Sequence, residues 1–421
     1  MKIIRSKDLR EDFFKYKEIE ELASVKDIVS DVRRNGDEAV KDYTERFDGV
    51  SLTSLKVDKK EIIDAKSGLT QDEINTPKIA AANIKRFAKK QKEQFQDFEI
   101  EIQPGVFTGQ KVYPIKRVGI YTPGGSYPLP STVLMCAIPA QVAGVEEIVL
   151  CSPPRTNGAI HPAILAAADI CGITEVYQIG GVQSIAAMAY GTKSIQPVDK
   201  IVGPGNKYVT AAKKEVYGAV GIDFIAGPTE LLIIADETAN PDYIASDLLA
   251  QAEHDTNAIP ILITNSQKRA LQVEKEVQKQ LVQLKTVDIA RVSLENNGLI
   301  ILVDKIEEAI EIANKKAPEH LELQINDIDT YIHKLKNYGS LFIGSLAAEV
   351  LGDYSSGLNH TLPTNTTARY TGGLSMKDFI KIQTTLRVEK QGLDLIGPVA
   401  AKFGKMEGLD GHVKSVNIRL K

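Results

Sequence analysis

Between residues 147 and 217 the chain repeats one local pattern: a short apolar run, a turn rich in glycine or proline, then a helix-length stretch. The runs EIVLCSP, TEVYQIGG and KIVGPG alternate with HPAILAAADICG, VQSIAAMAYG and NKYVTAAKKEVYG. Strands separated by helix-length segments cross over and pair in parallel, which places helices on the faces of an open sheet. A second block follows the same rule, with LLIIADE, a helix expected from about Pro241 to His254, IPILITNS, a long charged helix and GLIILVD. The expected fold class is α/β, with two parallel-sheet domains of similar plan. No close sequence repeat links the blocks, so a duplication is compatible with the pattern but not demonstrated by it.

The flanks are less regular. Residues 20–47 and 70–93 carry helical periodicity with dense charge, broken at Asn35-Gly36, and read as exposed or bridging helices. Residues 98–121 read as extended segments joined by glycine turns. From about residue 352 Gly, Asn, Thr and Pro accumulate, and the final KMEGLDGHVKSVNIRLK is too short and polar to hold a core, so it must dock on something. A chain of 421 residues exceeds what one core usually supports. The expected organisation is an N-terminal segment over 1–20, a discontinuous α/β domain from 21–110 with 230–370, a second α/β domain over 111–229, and a tail over 371–421.

Composition narrows the function. With 51 Lys and Arg against 55 Asp and Glu, the net charge is -4, which gives no footprint for nucleic acid or an acidic membrane surface. The N-terminus, MKIIRSKDLREDFFKYKEIEE, is charged throughout and no later run suits a bilayer span, so a cytoplasmic protein is expected. Cys136, Cys151 and Cys171 are odd in number, lack C-x-x-C spacing and sit in apolar or helix-like surroundings; they read as buried reduced thiols.

Three turns stand where a strand gives way to a helix: Pro123-Gly124-Gly125 after VGIY, Gly180-Gly181-Val182-Gln183 after EVYQI, and Gly203-Pro204-Gly205-Asn206 after KIV. That is the carboxyl edge of a parallel sheet, where backbone N–H groups can meet a phosphate. Glycine is also what any tight turn with positive φ requires, and the G-x-G-x-x-G fingerprint is absent. Each turn carries a polar neighbour. Tyr121 offers a ring or hydroxyl to a nucleotide, and Gln183 and Asn206 offer amides at helix starts.

Six histidines divide by context. His161 and His333 read as structural or solvated. In LLAQAEHD, Gln251 and His254 are three apart on an expected helix and share one face, able to converge on an ion or simply to end a solvated helix. KKAPEHLEL places Glu319 and His320 together after Pro318, as an acid–base pair or an exposed strand edge. LGDYSSGLNHTLPTN adds Asp353 and His360, and KMEGLDGH adds Glu407 and His412. Imidazoles and carboxylates together suit zinc or a similar divalent ion, but no H-E-x-x-H motif is present, and spacing alone leaves a metal site and ordinary polar positions both open.

Taken in order, YTPGGSYPLPSTVLM, GPGNKYV, IDFIAGPTELLIIADETANPDYIASDLLAQAEHD, APEHLEL, GDYSSGLNHTLPT and EGLDGH resemble the histidinol dehydrogenase family over essentially the whole chain. The resemblance implies two incomplete Rossmann-like domains with short N-terminal helical and C-terminal tail segments. It also implies NAD-dependent oxidation of L-histidinol to L-histidine, in two steps, through histidinaldehyde that is not released. It implies one zinc ion per subunit on Gln251, His254, Asp353 and His412; a catalytic pair, Glu319 and His320; and NAD contacts from Tyr121, Gln183 and Asn206. Substrate contacts are implied for Thr229, His360 and Glu407, and for His320 and the zinc ligands. Finally, it implies a homodimer in which the tail completes the partner's site. Three positions depart from the family pattern: Thr229 where serine is common, Gly411 where alanine is frequent, and Asn365 where glycine is usual. They touch local geometry, not the reaction class. Competing readings are a zinc-dependent relative acting on another small primary alcohol such as a sulfonated diol, a zinc hydrolase, and a silent binding protein.

Overall fold

A computed structural model describes residues 1–18, 22–124 and 128–421. Its frame is two parallel sheets whose inner strands are buried and mostly apolar, with charged or polar residues chiefly at strand ends, as sheets covered on both faces favour. In the first, Arg117–Tyr121 is central; Glu147–Cys151 and Glu175–Tyr177 lie on one side, Lys200–Val202 and Gly221–Ile222 on the other. In the second, Glu230–Ala235 is central, flanked by Ile259–Thr264 and Leu299–Leu302 on one side and His320–Gln324 and Ser340–Ile343 on the other. Numbered within each unit, both sheets run 3-2-1-4-5, so the similar plan read from sequence holds at the level of strand order. The switch point, where a crevice opens, falls between the first and fourth strand of each.

The second sheet gains a sixth strand from the chain start. Lys2–Arg5 pairs in parallel with Leu299–Leu302, and Leu9, Phe13 and Phe14 pack on the same unit. The first residues are thus an edge of the six-stranded sheet and not a separate segment.

Residues 21–110 also pack differently from the expected grouping with 230–370. Helices Ala23–Asn35 and Asp37–Asp48, separated at Gly36 (φ +57°), bury Val25, Ile28, Val29, Val32 and Val40 in the core on one face of the five-stranded sheet. Gln71–Lys92, started by a Thr70–Glu73 capping box, buries Ile84 in the core on the other face. Dense charge masked a narrow apolar stripe that docks these helices on the five-stranded unit; Gln71–Lys92, exposed over most of its length, also reaches the other unit, where Asn83 Nδ2 donates to the Ser355 carbonyl at 2.7 Å.

The region beyond residue 352 is more regular than its composition suggests. Ile380–Val388 forms a three-stranded antiparallel sheet with Val106–Pro114 and Phe98–Gln103, and helices Lys390–Met406 and Asp410–Leu420 close as a hairpin. This extension leaves Phe98, Ile100, Ile102, Ile382, Leu386 and Phe403 exposed. No helix among the described residues is long and apolar enough to cross a membrane.

Candidate active site

The second sheet carries its polar residues at the amino edge of its switch point. Thr229 and Glu230 open the central strand, and Glu319 and His320 open its neighbour, where Leu231 stands opposite His320. The strand after Pro318 is central and buried throughout, not an exposed edge. Backbone and side chains then fix the pair. Glu319 Oε2 accepts from Thr229 Oγ1 at 2.6 Å and from the Glu230 N–H at 2.9 Å. His320 Nδ1 lies 3.2 Å from the Glu230 carbonyl, which can only accept, so Nδ1 carries the proton. His320 Nε2 is buried without a hydrogen-bond partner; Asp353 Oδ1 faces it at 3.7 Å, an electrostatic contact and not a bond.

Burial governs the charges here. It pushes the Glu319 carboxyl up to about 7, against the opposing pull of His320 and the Thr229 hydroxyl. For His320 burial acts downward, but Glu349, Glu319 and Asp353 together raise the imidazole well above its ordinary value. Glu230 is held between Lys316, 2.5 Å from its Oε2, and the Asn365 N–H, 2.6 Å from its Oε1.

Beside the pair, Gln251 ends the helix Pro241–Ala252 and its Nε2 donates to Thr229 Oγ1 at 2.7 Å. His254 lies two residues past that helix at the open mouth of the cleft, where desolvation lowers its basicity. Its ring nitrogen and the carboxylates of Glu349 and Asp353 lie within 4.8 Å of one another. A mixed set of imidazole and carboxylates, with an orphaned buried imidazole nitrogen adjoining it, fits a divalent ion such as zinc. Glu349 escaped the sequence reading, yet it stands four residues before Asp353 on the helix Glu349–Tyr354, a spacing that puts both on one face.

His360 ties the two units together. Its Nδ1 donates to the Asp353 carbonyl at 3.2 Å, and its Nε2 stands 3.3 Å from Thr132 Oγ1. Thr132 is in the first turn of Pro130–Ala143, the helix after the Tyr121 turn. The amino edge of the six-stranded sheet therefore faces the carboxyl edge of the five-stranded one.

That facing edge holds the glycine turns. Gly125 lies outside the described residues, so the first turn is seen only to Gly124. Tyr121 is buried in the core, which removes its ring from stacking; its hydroxyl is 3.5 Å from the Gly181 N–H. Gln183 is buried in the first turn of Gly181–Tyr190, and its Oε1 lacks a partner, an acceptor suited to a hydroxyl-rich ligand such as the ribose of NAD. Asn206 caps Lys207–Val216 through Oδ1, accepting from the Tyr208 and Val209 N–H groups, which leaves its NH2 for a ligand. Gly203 has φ +117°, and a Cβ there would strike the Tyr121 carbonyl. A buried ion pair clamps this glycine: Asp223 Oδ2 accepts its N–H at 2.8 Å, Lys213 Nζ donates to its carbonyl at 3.1 Å, and Lys213 contacts Asp223.

Glu407 and His412 stay apart. Both are exposed on the C-terminal hairpin, and among the described residues no hydrogen bond or ion pair joins either to the cluster. Residues 14–420 match the family model for histidinol dehydrogenase. The chain belongs to the histidinol dehydrogenase family. It is 47% identical over 401 residues to the histidinol dehydrogenase of Geobacillus kaustophilus, covering 95% of this chain and 94% of that one. The histidinol dehydrogenase of Methanothermobacter thermautotrophicus is 47% identical over 400 residues, covering 95% and 93%. The crystal structure of histidinol dehydrogenase from Elizabethkingia anophelis superposes with a TM-score of 0.93 at 42% identity, covering 97% of this chain and 95% of that one. As a member of the histidinol dehydrogenase family, the chain is an oxidoreductase.

Proposed function

We propose that this protein oxidises L-histidinol to L-histidine with NAD, through histidinaldehyde, at the cluster around Glu319 and His320. The observation that carries the reading is His320 Nε2, a buried, unpartnered imidazole nitrogen beside a buried carboxylate whose neighbours pin only one of its oxygens.

The residues divide the work. His320 Nε2 takes the proton from the substrate hydroxyl while hydride leaves the same carbon; the bond from Nδ1 to the Glu230 carbonyl fixes the ring's orientation. The bonds from Thr229 and the Glu230 N–H both fall on Glu319 Oε2, which leaves Oε1 to take a proton from the water that adds to the aldehyde. The second hydride departs from the resulting hydrate while His320, having released its first proton to solvent, takes the proton of a hydrate hydroxyl. Tyr121, Gln183 and Asn206 would hold NAD at the glycine turns, where it would supply the hydride acceptor. Zinc on Gln251, His254 and Asp353, joined by His412, would orient the substrate's imidazole and amine and offset the carboxylates that hold His320 protonated.

The reading includes a homodimer. His412 and Glu407 sit on a hairpin away from their own chain's cluster, and the exposed apolar side chains of that hairpin and the adjoining sheet call for a cover. A second copy provides both the cover and the missing ligand, with His360 and Glu407 contacting substrate.

The test is NADH formation by zinc-loaded protein with L-histidinol. Two NADH per histidinol, and a loss of about 10²- to 10⁴-fold in Glu319→Gln and in His320→Ala, are expected. No NADH from histidinol, with turnover of another primary alcohol, would reassign the substrate. Mixing His412→Ala with Glu319→Ala chains should restore activity through one intact site per heterodimer.

A further inference from the structure

Every polar atom of Glu230 is engaged. Its N–H donates to Glu319 Oε2 at 2.9 Å and its carbonyl accepts from His320 Nδ1 at 3.2 Å, so the backbone of one residue orients both members of the pair. Its carboxylate meets Lys316 Nζ at 2.5 Å on Oε2 and the Asn365 N–H at 2.6 Å on Oε1. The side chains of Lys316 and Glu230 are 8% and 1% exposed. A buried ion pair adds little net stability over apolar residues of the same volume, so its use here points to orientation.

Both anchors of that carboxylate are braced by the start of the chain. Lys316 closes the helix Ile306–Lys316 just before Ala317 and Pro318 lead into Glu319. Its ammonium lies 5.7 Å from the centre of the Phe13 ring, and that of Lys315 lies 4.1 Å from the centre of Phe14. Asn365 clips the same segment: its Oδ1 accepts the Lys17 N–H at 2.9 Å and its Nδ2 donates to the Lys17 carbonyl at 2.8 Å. Asn365 and Thr366 have φ of +54° and +66°, a left-handed conformation that residues other than glycine keep only where the surroundings impose it. Glycine would adopt it freely but would bring no amide to residue 17.

We propose that Lys316 and Asn365 are positioning residues for the oxidation: through the Glu230 side chain they fix the backbone groups that aim Glu319 and His320, and residues 11–17 brace them from outside the sheet. Both act only through that backbone. A displacement of about 1 Å at a reacting group can cost about 100-fold in rate, so a loosened Glu230 should be felt in the chemical step more than in binding. The proposal rests on the catalytic assignment above and goes beyond it, because it makes the alignment of the pair depend on the N-terminal segment.

The experiment measures kcat and KM for NADH formation from L-histidinol by full-length, zinc-loaded wild type, Lys316→Met, Lys316→Arg and Asn365→Gly. Lys316→Met should lower kcat by about 10- to 100-fold while KM for histidinol and for NAD stays within about twofold. Lys316→Arg keeps the charge and should recover part of kcat, a rescue that a loss of packing alone would not give. Asn365→Gly frees residue 17 but keeps the N–H on Glu230, and should lower kcat by at least about threefold with the same split. It removes an exposed clip and eases the backbone, so it stays folded and decides the question if Lys316→Met does not fold. Unchanged kcat in Lys316→Met, a loss confined to KM, or unchanged kcat in Asn365→Gly would each overturn the assignment. Wild type that forms no NADH from histidinol would instead fault the function on which it rests.

Discussion

Replacing Lys213 by methionine tests how the third glycine turn is held. The side chains of Lys213 and Asp223 are 5% and 1% exposed, and between them they grip both the N–H and the carbonyl of Gly203. Removing one partner of a buried pair costs about 3–5 kcal/mol, because the other charge is left uncompensated. Asp223 keeps the Gly203 and Phe224 N–H donors, the latter at 2.7 Å, which sets the expected cost near the lower end, about 3 kcal/mol. For a cooperative unit of about 200 residues that lowers the transition by roughly 6–12 °C. Scanning calorimetry reads this directly. Because the peptide of Gly203 loses its clamp at the turn proposed to hold NAD, KM for NAD should also rise while kcat changes little. Asp223→Asn in the same chain should then add much less than it costs alone. A fall of under about 2 °C for Lys213→Met, or a double variant that falls by the full sum of the singles, would refute the clamp.

Glu319 should govern the pH response. Its folded pKa is raised mainly by burial, from the usual 4.5 to about 7, so its contribution to stability is full below pH 4.5 and is lost as pH rises through about 7. The base it would provide under the proposed mechanism is ionised only above that value. The pH–rate profile should therefore climb through neutrality, with Glu319→Gln flattening it and gaining stability on wild type between pH 5 and pH 8, by at most about 3 kcal/mol. A profile that falls over that range would contradict the assignment. All three cysteines are buried and their thiols pushed up by burial, Cys171 to about 12, so a thiol reagent at pH 8 should label none in the native protein and three after denaturation.

Much of the frame was legible because parallel strands buried on both faces leave unmistakable apolar runs, as in LLIIAD and IPILIT. The same signal located the carboxyl-edge turns of the first sheet. It could not say that the second sheet would gather its buried polar cluster at the opposite, amino edge, since that depends on how two sheets face one another through contacts such as His360 with Thr132. Helices Ala23–Asn35 and Gln71–Lys92 misled for another reason: charge dominates their composition, while only a few aliphatic positions set their packing. Tyr121 shows the limit for single residues. Sequence placed it beside the turn, but the fold puts its ring in the core and its hydroxyl 3.5 Å from the Gly181 N–H. Glu349 had the right helical spacing to Asp353, but a glutamate on a short helix carries no sign of burial.

The pairing of Lys2–Arg5 with Leu299–Leu302 has a consequence for how the chain is made. At about 5–20 residues per second, the first strand waits roughly 15–60 s for its neighbour to leave the ribosome. The five-stranded sheet, whose strands all lie within residues 117–222, has its full complement long before that. Synthesis therefore orders folding: the sheet with the glycine turns can close early, while the sheet with Glu319 and His320 stays open along one edge until the chain is nearly three-quarters made. The KIIR strand, short and with a lysine and an arginine at its ends, is poorly suited to pair with another chain during that wait.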